Sequence, residues 1–156
     1  MAELDIVHFR MEDSSFGYNR RPGDPDAESA LAVIGELKAL ETLSLAENAM
    51  SAIPMSVFQC TALKWLSLED VRIRSVQPEI GVLENLEYLN LNGGTWDPVD
   101  FPPEVQKLTR LKTLHIAHLS HKTPEEEQAY ITHLQERFPE TVSIPVLDVL
   151  RQRHGL

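Results

Sequence analysis

The sequence predicts an α/β solenoid, in which a parallel sheet lines a concave face and short helices or 3₁₀ turns line a convex face. Copies of one apolar pattern, Leu-x-x-Leu-x-Leu, open at Leu40, Leu63 and Leu86, and each step is 23 residues long. A fourth copy opens at Leu111, after a step of 25 residues. A fixed period near this length is typical of stacked repeats that bury their apolar faces against one another. Because the array is short, we expect a shallow right-handed arch.

The first element along the chain is a predicted strand at residues 4–9, where apolar and polar residues alternate. Val7 and Phe9 loosely fit the two closing positions of the repeat pattern, so this strand is either a degenerate first repeat or a cap. Turn-forming residues dominate positions 12–26 and predict a loop. A helix is expected to begin after Asp26, where apolar residues recur at every third position.

Each repeat is predicted to hold one strand and one convex segment. The last two leucines of the pattern lie two residues apart, so they point to the same side of a strand, into the core. Short convex helices or 3₁₀ turns are then expected where prolines recur, at residues 54–58, 77–81 and 102–105. Two extra residues within positions 97–101 account for the 25-residue step.

The turn after the first strand contains Asn48, whose side chain is suited to satisfying backbone groups there. The equivalent positions in the later repeats hold Val71, Gly94 and Leu119. This loss of the amide side chain predicts locally irregular backbone in the later turns.

Residues 120–156 are predicted to form a helical C-terminal cap, because the open end of a solenoid exposes an apolar edge. Thr123 and Glu126 have the spacing of a capping box, which opens a helix that we expect to run to about Phe138. The elements expected after it are a short strand at residues 142–144 and a terminal segment, 148–156, that either forms an amphipathic helix or frays.

A family resemblance rests on these residues. The run Pro78-x-Ile80-Gly81-x-Leu83-x-x-Leu86-x-x-Leu89-x-Leu91, with residues 40–48, resembles the leucine-rich repeat. The 23-residue form is similar to that of Ras-suppressor-like proteins and of plant and bacterial cytoplasmic repeat proteins. The resemblance covers residues 30–119 and implies a curved solenoid whose concave face binds another protein. Such a motif is specific for fold and unspecific for function.

The composition predicts one domain over residues 1–156, with an N-terminal cap at 1–29, repeats at 30–119 and a C-terminal cap at 120–156. The net charge of −10 disfavours nucleic acid and anionic membranes as partners, because both carry negative charge. A basic or neutral protein or peptide is the expected partner. No apolar run reaches the length of a membrane span.

The single cysteine, Cys60, excludes an intramolecular disulfide and fits a reducing compartment. The N-terminal residues lack the features of a Sec-type signal. We therefore expect a cytoplasmic protein, or one exported without a cleaved Sec signal, and the sequence does not separate a resident adaptor from a secreted effector. Cys60 is expected to be a buried, inert thiol.

The residues between the core leucines are expected to face the concave side of the sheet, where neighbouring strands place equivalent positions in rows. The predicted rows are Thr42, Trp65, Tyr88 and Thr113, then Ser44, Ser67, Asn90 and His115, then Ala46, Glu69, Asn92 and Ala117, and finally Glu47, Asp70, Gly93 and His118.

Trp65 beside Tyr88 predicts a binding hot spot, since these residue types dominate the energetics of interfaces. The alternatives are that a terminal segment covers the two rings or that they only stack on each other. Acidic residues next to the pair would suit an Arg or Lys of a partner, unless they are simply a solvated surface. The candidate partner-binding residues are Trp65, Tyr88, Thr42, Ser67, Glu69, Asp70, Asn90, Asn92 and His115.

Catalysis and metal binding are not expected, because the motifs of phosphate loops, nucleophile elbows and zinc proteases are missing from the sequence. His115, His118 and His121 recur every three residues and could ligate zinc, but a solvated histidine cluster explains them more simply. Trp96 is expected in the core. We therefore predict a non-catalytic interaction module without a cofactor or metal, a monomer or weak homodimer. The alternatives are a self-associating structural unit and a metal-dependent enzyme.

Overall fold

The fold is a five-stranded parallel sheet backed by short helices. The computed structural model describes residues 8–10, 31–48, 50–93, 98–117 and 122–155. The strands lie in chain order in one sheet: β1 (His8–Arg10), β2 (Thr42–Ser44), β3 (Trp65–Ser67), β4 (Tyr88–Leu91) and β5 (Thr113–Ile116). Each strand pairs in parallel with the next. This open sheet confirms the predicted solenoid.

In the described part of the chain, four 3₁₀ helices form the convex side: η1 (Val33–Glu36), η2 (Met55–Gln59), η3 (Pro78–Val82) and η4 (Pro103–Lys107). Proline begins η3 and η4 and precedes η2, because its fixed φ favours the first turn of a helix. The three predicted convex segments are therefore confirmed. Residues 31 and 32 are helical and lead into η1, whereas the predicted start of that helix after Asp26 lies outside the described residues.

The core lies between the sheet and the 3₁₀ helices, and the repeat pattern fills it. The leucines of the first three copies are at most 2 % exposed: Leu40, Leu43, Leu45, Leu63, Leu66, Leu68, Leu86, Leu89 and Leu91. The fourth copy, at Leu111, Leu114 and Ile116, is also buried. These residues belong to one hydrophobic cluster, so the core continues through the whole stack.

The predicted N-terminal strand, residues 4–9, is confirmed at residues 8 and 9 and extends to Arg10, but its register was wrong by two residues. Phe9 pairs with Leu43, the position to which the pattern had assigned Val7. A shift of two residues keeps the same side chains on the same face of a strand, so Phe9 still packs against the core. Val7 lies outside the part of the chain that the structure describes.

The turns after β2 and β3 each contain a residue with left-handed backbone, Glu47 and Asp70. Asn48 Nδ2 donates hydrogen bonds to the carbonyls of Leu45, at 2.9 Å, and Ala46, at 3.0 Å, as expected for its position. The irregular backbone expected at Val71 stays a prediction, and this turn has no amide side chain. The Val71 N–H instead donates to the carbonyl of Leu68 at 3.2 Å, which closes the turn through the backbone alone. Gly94 and Leu119 lie outside the described residues.

The C-terminal cap begins with helix α1 (Pro124–Arg137), which ends at Phe138 as predicted. The capping box is present: the Glu126 N–H donates to Thr123 Oγ1 at 3.3 Å, and the Thr123 N–H donates to Glu126 Oε2 at 2.8 Å. Both bonds satisfy amides that the first turn of a helix leaves without partners.

The strand expected at residues 142–144 is reduced to a single bridge between Ser143 and Thr113 of β5. Helix α2 (Pro145–His154) starts immediately afterwards and prevents a longer strand. The terminal segment is thus helical and begins earlier than expected. The Ser143 N–H donates to the carbonyl of Lys112 and its carbonyl accepts from the Leu114 N–H, so this bridge covers part of the β5 edge.

Helices α1 and α2 are held to each other by a charged contact. Glu127 is 2 % exposed and accepts a hydrogen bond from Arg153 at 2.5 Å. Within the described residues, neither helix has the length and apolar character needed to cross a membrane.

Candidate functional site

The first two rows that the sequence predicted are present on the concave face of the sheet. In the first row, Trp65 lies between Thr42 and Tyr88, and Tyr88 is followed by Thr113. In the second row, Ser44, Ser67, Asn90 and His115 pair in that order. The register is confirmed because the buried leucines on either side of each concave residue fix the face to which it points.

Three aromatic side chains on neighbouring strands form a stack, which we call the aromatic ladder: Trp65, Tyr88 and His115. The ring centroids of Trp65 and Tyr88 are 5.2 Å apart with an interplanar angle of 5°. The Tyr88 and His115 rings are 5.3 Å apart and tilted by 41°. All three side chains are half-buried. Trp65 and Tyr88 therefore stack on each other, as one alternative expected, and both keep solvent-accessible surface.

The second row is more buried than the alternation of the sequence suggested. Ser67 and Asn90, both candidate contact residues, are only 3 % and 6 % exposed. Asn90 Nδ2 donates to Glu69 Oε2 at 3.3 Å, and Asn90 Oδ1 accepts from the Asn92 N–H at 2.9 Å. Asn90 therefore positions its neighbours and presents little surface of its own. Thr42 is half-buried and Asn92 is exposed.

The acidic corner, Glu47, Glu69 and Asp70, lies where β2 and β3 end. All three side chains are exposed. Backbone hydrogen bonds of 2.8 Å continue the pairing beyond the strands and keep Glu47 beside Glu69. Burial, and secondarily the charge of Glu69, raise the pKa of Tyr88, so its phenol stays protonated at neutral pH. The acidic corner is therefore electrostatically coupled to the aromatic ladder.

The turn at the acidic corner has an unusual backbone conformation, with positive φ values. Glu47 and Asp70 have φ values of 58° and 56°, and Gly93, at the equivalent position of the next repeat, has 81°. The Asp70 carboxylate lies against Gly93, where any β-carbon would overlap it. Gly93 thus leaves the space that the Asp70 side chain occupies.

A row of alternating charges was missed in the sequence. Glu41, Lys64, Glu87 and Lys112 stand just before successive strands, and ion pairs of 2.7 Å and 2.5 Å join Lys64 to Glu41 and Lys112 to Glu87. The Lys112 hydrogen bond is the main cause of the lowered pKa of Glu87. Exposed pairs of this kind add little stability. The sequence did contain a signal for this row, because negative and positive residues alternate at one position of the repeat.

The histidines and Cys60 were the candidates for metal or thiol chemistry. None of its groups of three His, Cys, Asp or Glu side chains could hold a metal ion, and His118 and His121 lie outside it. Cys60 is fully buried, and its thiol contacts the Ile34 carbonyl at 3.1 Å. Burial raises the thiol pKa, which favours the unreactive protonated form, as expected. Trp96, expected in the core, is outside the described residues.

Comparisons with known proteins agree with this architecture. A family profile described as a leucine-rich repeat region matches residues 30–154. A leucine-rich repeat protein of Leptospira interrogans matches 72% of the chain at 26% identity with a TM-score of 0.58, and the match covers 27% of that protein. The chain thus spans about a quarter of its length.

A second solved structure with similarity to the chain is the leucine-rich repeat ectodomain of the receptor kinase SOBIR1 from Arabidopsis thaliana. The match covers 72% of the chain and 59% of the ectodomain, at 20% identity and a TM-score of 0.45. A search of curated proteins found no match.

Proposed function

Because the chain belongs to the leucine-rich repeat family, we propose that it is a non-catalytic recognition module that binds a protein or peptide on its concave sheet. Leucine-rich repeat domains are generally protein-interaction modules, and solenoids offer extended concave surfaces for this purpose. The observation that carries the proposal is the aromatic ladder, whose rings remain half-exposed in the middle of that surface. Trp and Tyr side chains are enriched among residues that dominate binding energies.

The proposed mechanism is rigid presentation of preformed contacts. The concave side chains are mounted on strands whose alternate residues, such as Leu66 and Leu89, are fully buried. The rings of Trp65 and Tyr88 already stack in the free protein, so a partner need not order them. Binding therefore loses less side-chain entropy than it would on a mobile loop.

The charge distribution supports a basic or neutral partner. The chain carries a net charge of −10, and the acidic corner lies on the same face as the aromatic ladder. Negative potential attracts basic protein surfaces and repels nucleic acid and anionic lipids. The proposed setting is the cytoplasm, because a single buried, unpaired cysteine suits a reducing compartment.

The first test is capture of partners by the wild type and by a Trp65→Ala/Tyr88→Ala variant. We expect the double substitution to weaken binding by about 2 kcal/mol or more, roughly thirtyfold, because it removes the proposed hot spot. A matched control, Met55→Ala/Val82→Ala, removes exposed apolar surface from the convex side, where these side chains are 57% and 47% exposed. Captured proteins are identified by mass spectrometry, after circular dichroism shows that all three proteins are folded.

A partner lost by the concave variant and retained by the convex control would support the proposal. A partner retained by both variants would place the site elsewhere and contradict it. Light scattering at several concentrations measures self-association, since we propose a monomer or weak homodimer. A stable dimer that the concave substitutions dissociate would show that the concave face binds a second copy instead.

A further inference from the structure

Among the residues that the structure describes, one end of the aromatic ladder has no further ring stacked on it. The face of Trp65 that points towards β4 is covered by Tyr88, since the two rings are nearly parallel at 5.2 Å. The second face of Tyr88 meets His115. The ladder follows the order β3, β4, β5, so the uncovered face of the indole points towards β2. The residue paired with Trp65 on that strand is Thr42, whose short side chain is too small to cover an indole.

The space above Thr42 has two walls. His8 of β1 pairs with Thr42 on the side opposite Trp65, and its side chain is exposed. Strands in a sheet are about 4.8 Å apart, so the backbones of His8 and Trp65 are separated by about 9.6 Å. Contact distances of roughly 3.5–4.0 Å on each side leave room above Thr42 for one planar group between these two strand positions. We call this space the Thr42 slot.

The charges around the Thr42 slot favour a cation. The face of an indole carries negative electrostatic potential, and a planar guanidinium can stack on it. The chain as a whole is negatively charged, with a net charge of −10. The neighbouring cation Lys64 is already paired with Glu41 at 2.7 Å, and Arg10 of β1 has interactions of its own.

We propose that the Thr42 slot takes an arginine side chain of a basic peptide, with its guanidinium stacked on the open face of Trp65. This inference rests on the proposed function and names the chemistry of the partner. Arginine suits the slot better than lysine because its charged group is flat and can donate in-plane hydrogen bonds while it stacks. The stacked guanidinium becomes the next member of the aromatic ladder, on the β2 side.

The test uses three small probes that separate charge from shape. N-acetyl-arginine amide is planar and charged, the citrulline analogue is planar and neutral, and the lysine analogue is charged and not planar. Each is titrated into the wild-type protein while NMR follows the Trp65 indole N–H and the Thr42 amide. We expect saturable shifts of both signals, with an affinity for the arginine probe about two- to fivefold higher than for either analogue.

A matched pair of variants tests the position of the site. Thr42→Phe should fill the slot with a ring that stacks on Trp65, and it should abolish the shifts caused by the arginine probe. Thr113→Phe makes the same change in the same row, on the far side of Tyr88, and should leave probe binding unchanged. Folding of both variants is checked by the dispersion of their amide signals, and the three-probe comparison on the wild type does not depend on either variant.

Equal affinity for the arginine and citrulline probes, equal affinity for the arginine and lysine probes, or unchanged binding in Thr42→Phe would each overturn the proposal. So would an arginine probe that shifts neither signal. In all these cases the recognition function itself would still be decided by the capture experiment, because that experiment depends on the exposed rings and not on the chemistry of the occupant. Loss of capture by Trp65→Ala/Tyr88→Ala without an arginine preference would retain the function and reject the slot.

Discussion

In the first turn of the solenoid, the Asn48 side chain forms hydrogen bonds with the backbone. The equivalent residue of the next repeat, Val71, has no side-chain donor. The Asn48 amide donates to two carbonyls, those of Leu45 and Ala46, and the residue is 3 % exposed. Buried carbonyls that lose their donors cannot turn to water without opening the turn. The cost of losing Asn48 is therefore set by the desolvated acceptors that it leaves behind.

We expect Asn48→Ala to lower the free energy of unfolding by about 1–3 kcal/mol. The matched control is Asn85→Ala, because Asn85 also donates from its side chain to a backbone carbonyl, that of Thr61 at 2.9 Å, but near the surface. Water can replace that bond, so the control should cost well under half as much. Urea unfolding followed by circular dichroism measures both. Equal losses would show that the burial of Asn48 does not matter.

The two residues with left-handed backbone at the acidic corner are acidic, although the conformation favours glycine. Glu47 and Asp70 hold φ values of 58° and 56°, while the third repeat has glycine at this position. A non-glycine residue in this region costs roughly 1–2 kcal/mol. Such strain at an exposed carboxylate points to a role for the side chain on the surface, in agreement with the proposed basic partner.

At the scale of elements, the short 3₁₀ helices leave little space between repeats. A β-carbon at Gly81 of η3 would lie 3.0 Å from both the β-carbon and the carbonyl oxygen of Glu104 in η4. Glycine therefore permits the close approach of these two convex elements. Among the described residues, α-helical backbone occurs in the cap and at residues 31 and 32, which lead into η1.

The stability of helix α1 depends on the hydrogen bonds of its first turn. Thr123 accepts from the Glu126 N–H, and replacing a threonine cap by alanine costs about 0.5–2 kcal/mol. We expect Thr123→Ala to lower the unfolding free energy by this amount. Thr132→Ala is the matched control, since Thr132 lies exposed within the same helix, where alanine is the better helix former. Thermal or urea unfolding compares the two, and a control as destabilised as Thr123→Ala would contradict the role of the cap.

At the scale of the whole molecule, the C-terminal cap is fastened to the repeats through residues 98–101. Tyr130 Oη accepts from the Val99 N–H at 3.1 Å, and Arg137 Nε donates to the Phe101 carbonyl at 2.9 Å. The same segment is bound on its other side, since the Asp100 N–H donates to the Arg74 carbonyl at 2.8 Å. The cap and the array are therefore expected to unfold together.

Alkaline pH should loosen this attachment. Burial raises the pKa of Tyr130 well above its ordinary value of 10.0, although the hydrogen bond from Val99 acts in the opposite direction. The unfolded chain therefore loses this proton first, so the stabilisation is complete below about pH 10 and is lost as the pH rises further. We expect the unfolding free energy to fall above pH 10 by up to about 1.4 kcal/mol per pH unit from this group.

Tyr130→Phe isolates that contribution. At pH 7 it should be less stable by about 1–3 kcal/mol, because the buried Val99 N–H loses its acceptor. Above pH 10 its unfolding free energy should fall less steeply than that of the wild type, since phenylalanine has no proton to lose. Urea unfolding between pH 7 and pH 11 measures both slopes, and lysines titrate alike in the two proteins. Parallel curves would show that Tyr130 does not cause the alkaline loss.

Several side-chain contacts and burial depths could not be predicted from the sequence, and the reason is the same for all of them. Alternation along a strand predicted that Ser67 and Asn90 face the concave side, but it carries no information on how deeply they lie among their neighbours. The stack of Trp65 on Tyr88 depends on side-chain torsions, and the contact of Arg153 with Glu127 depends on how two helices pack. These contacts join residues that are far apart in the chain, and their separation in space depends on tertiary packing.

The sequence by itself determined the repeat architecture, the convex 3₁₀ segments, the capping box and the rows of the concave face. It could do so because a leucine pattern of fixed period leaves one register in which every leucine is buried. Only the tertiary structure decided the register of β1, the closure of the turn at Val71 and the reduction of the last strand to one bridge. Each of these lies where the pattern weakens, so packing and backbone hydrogen bonds with distant residues select the conformation.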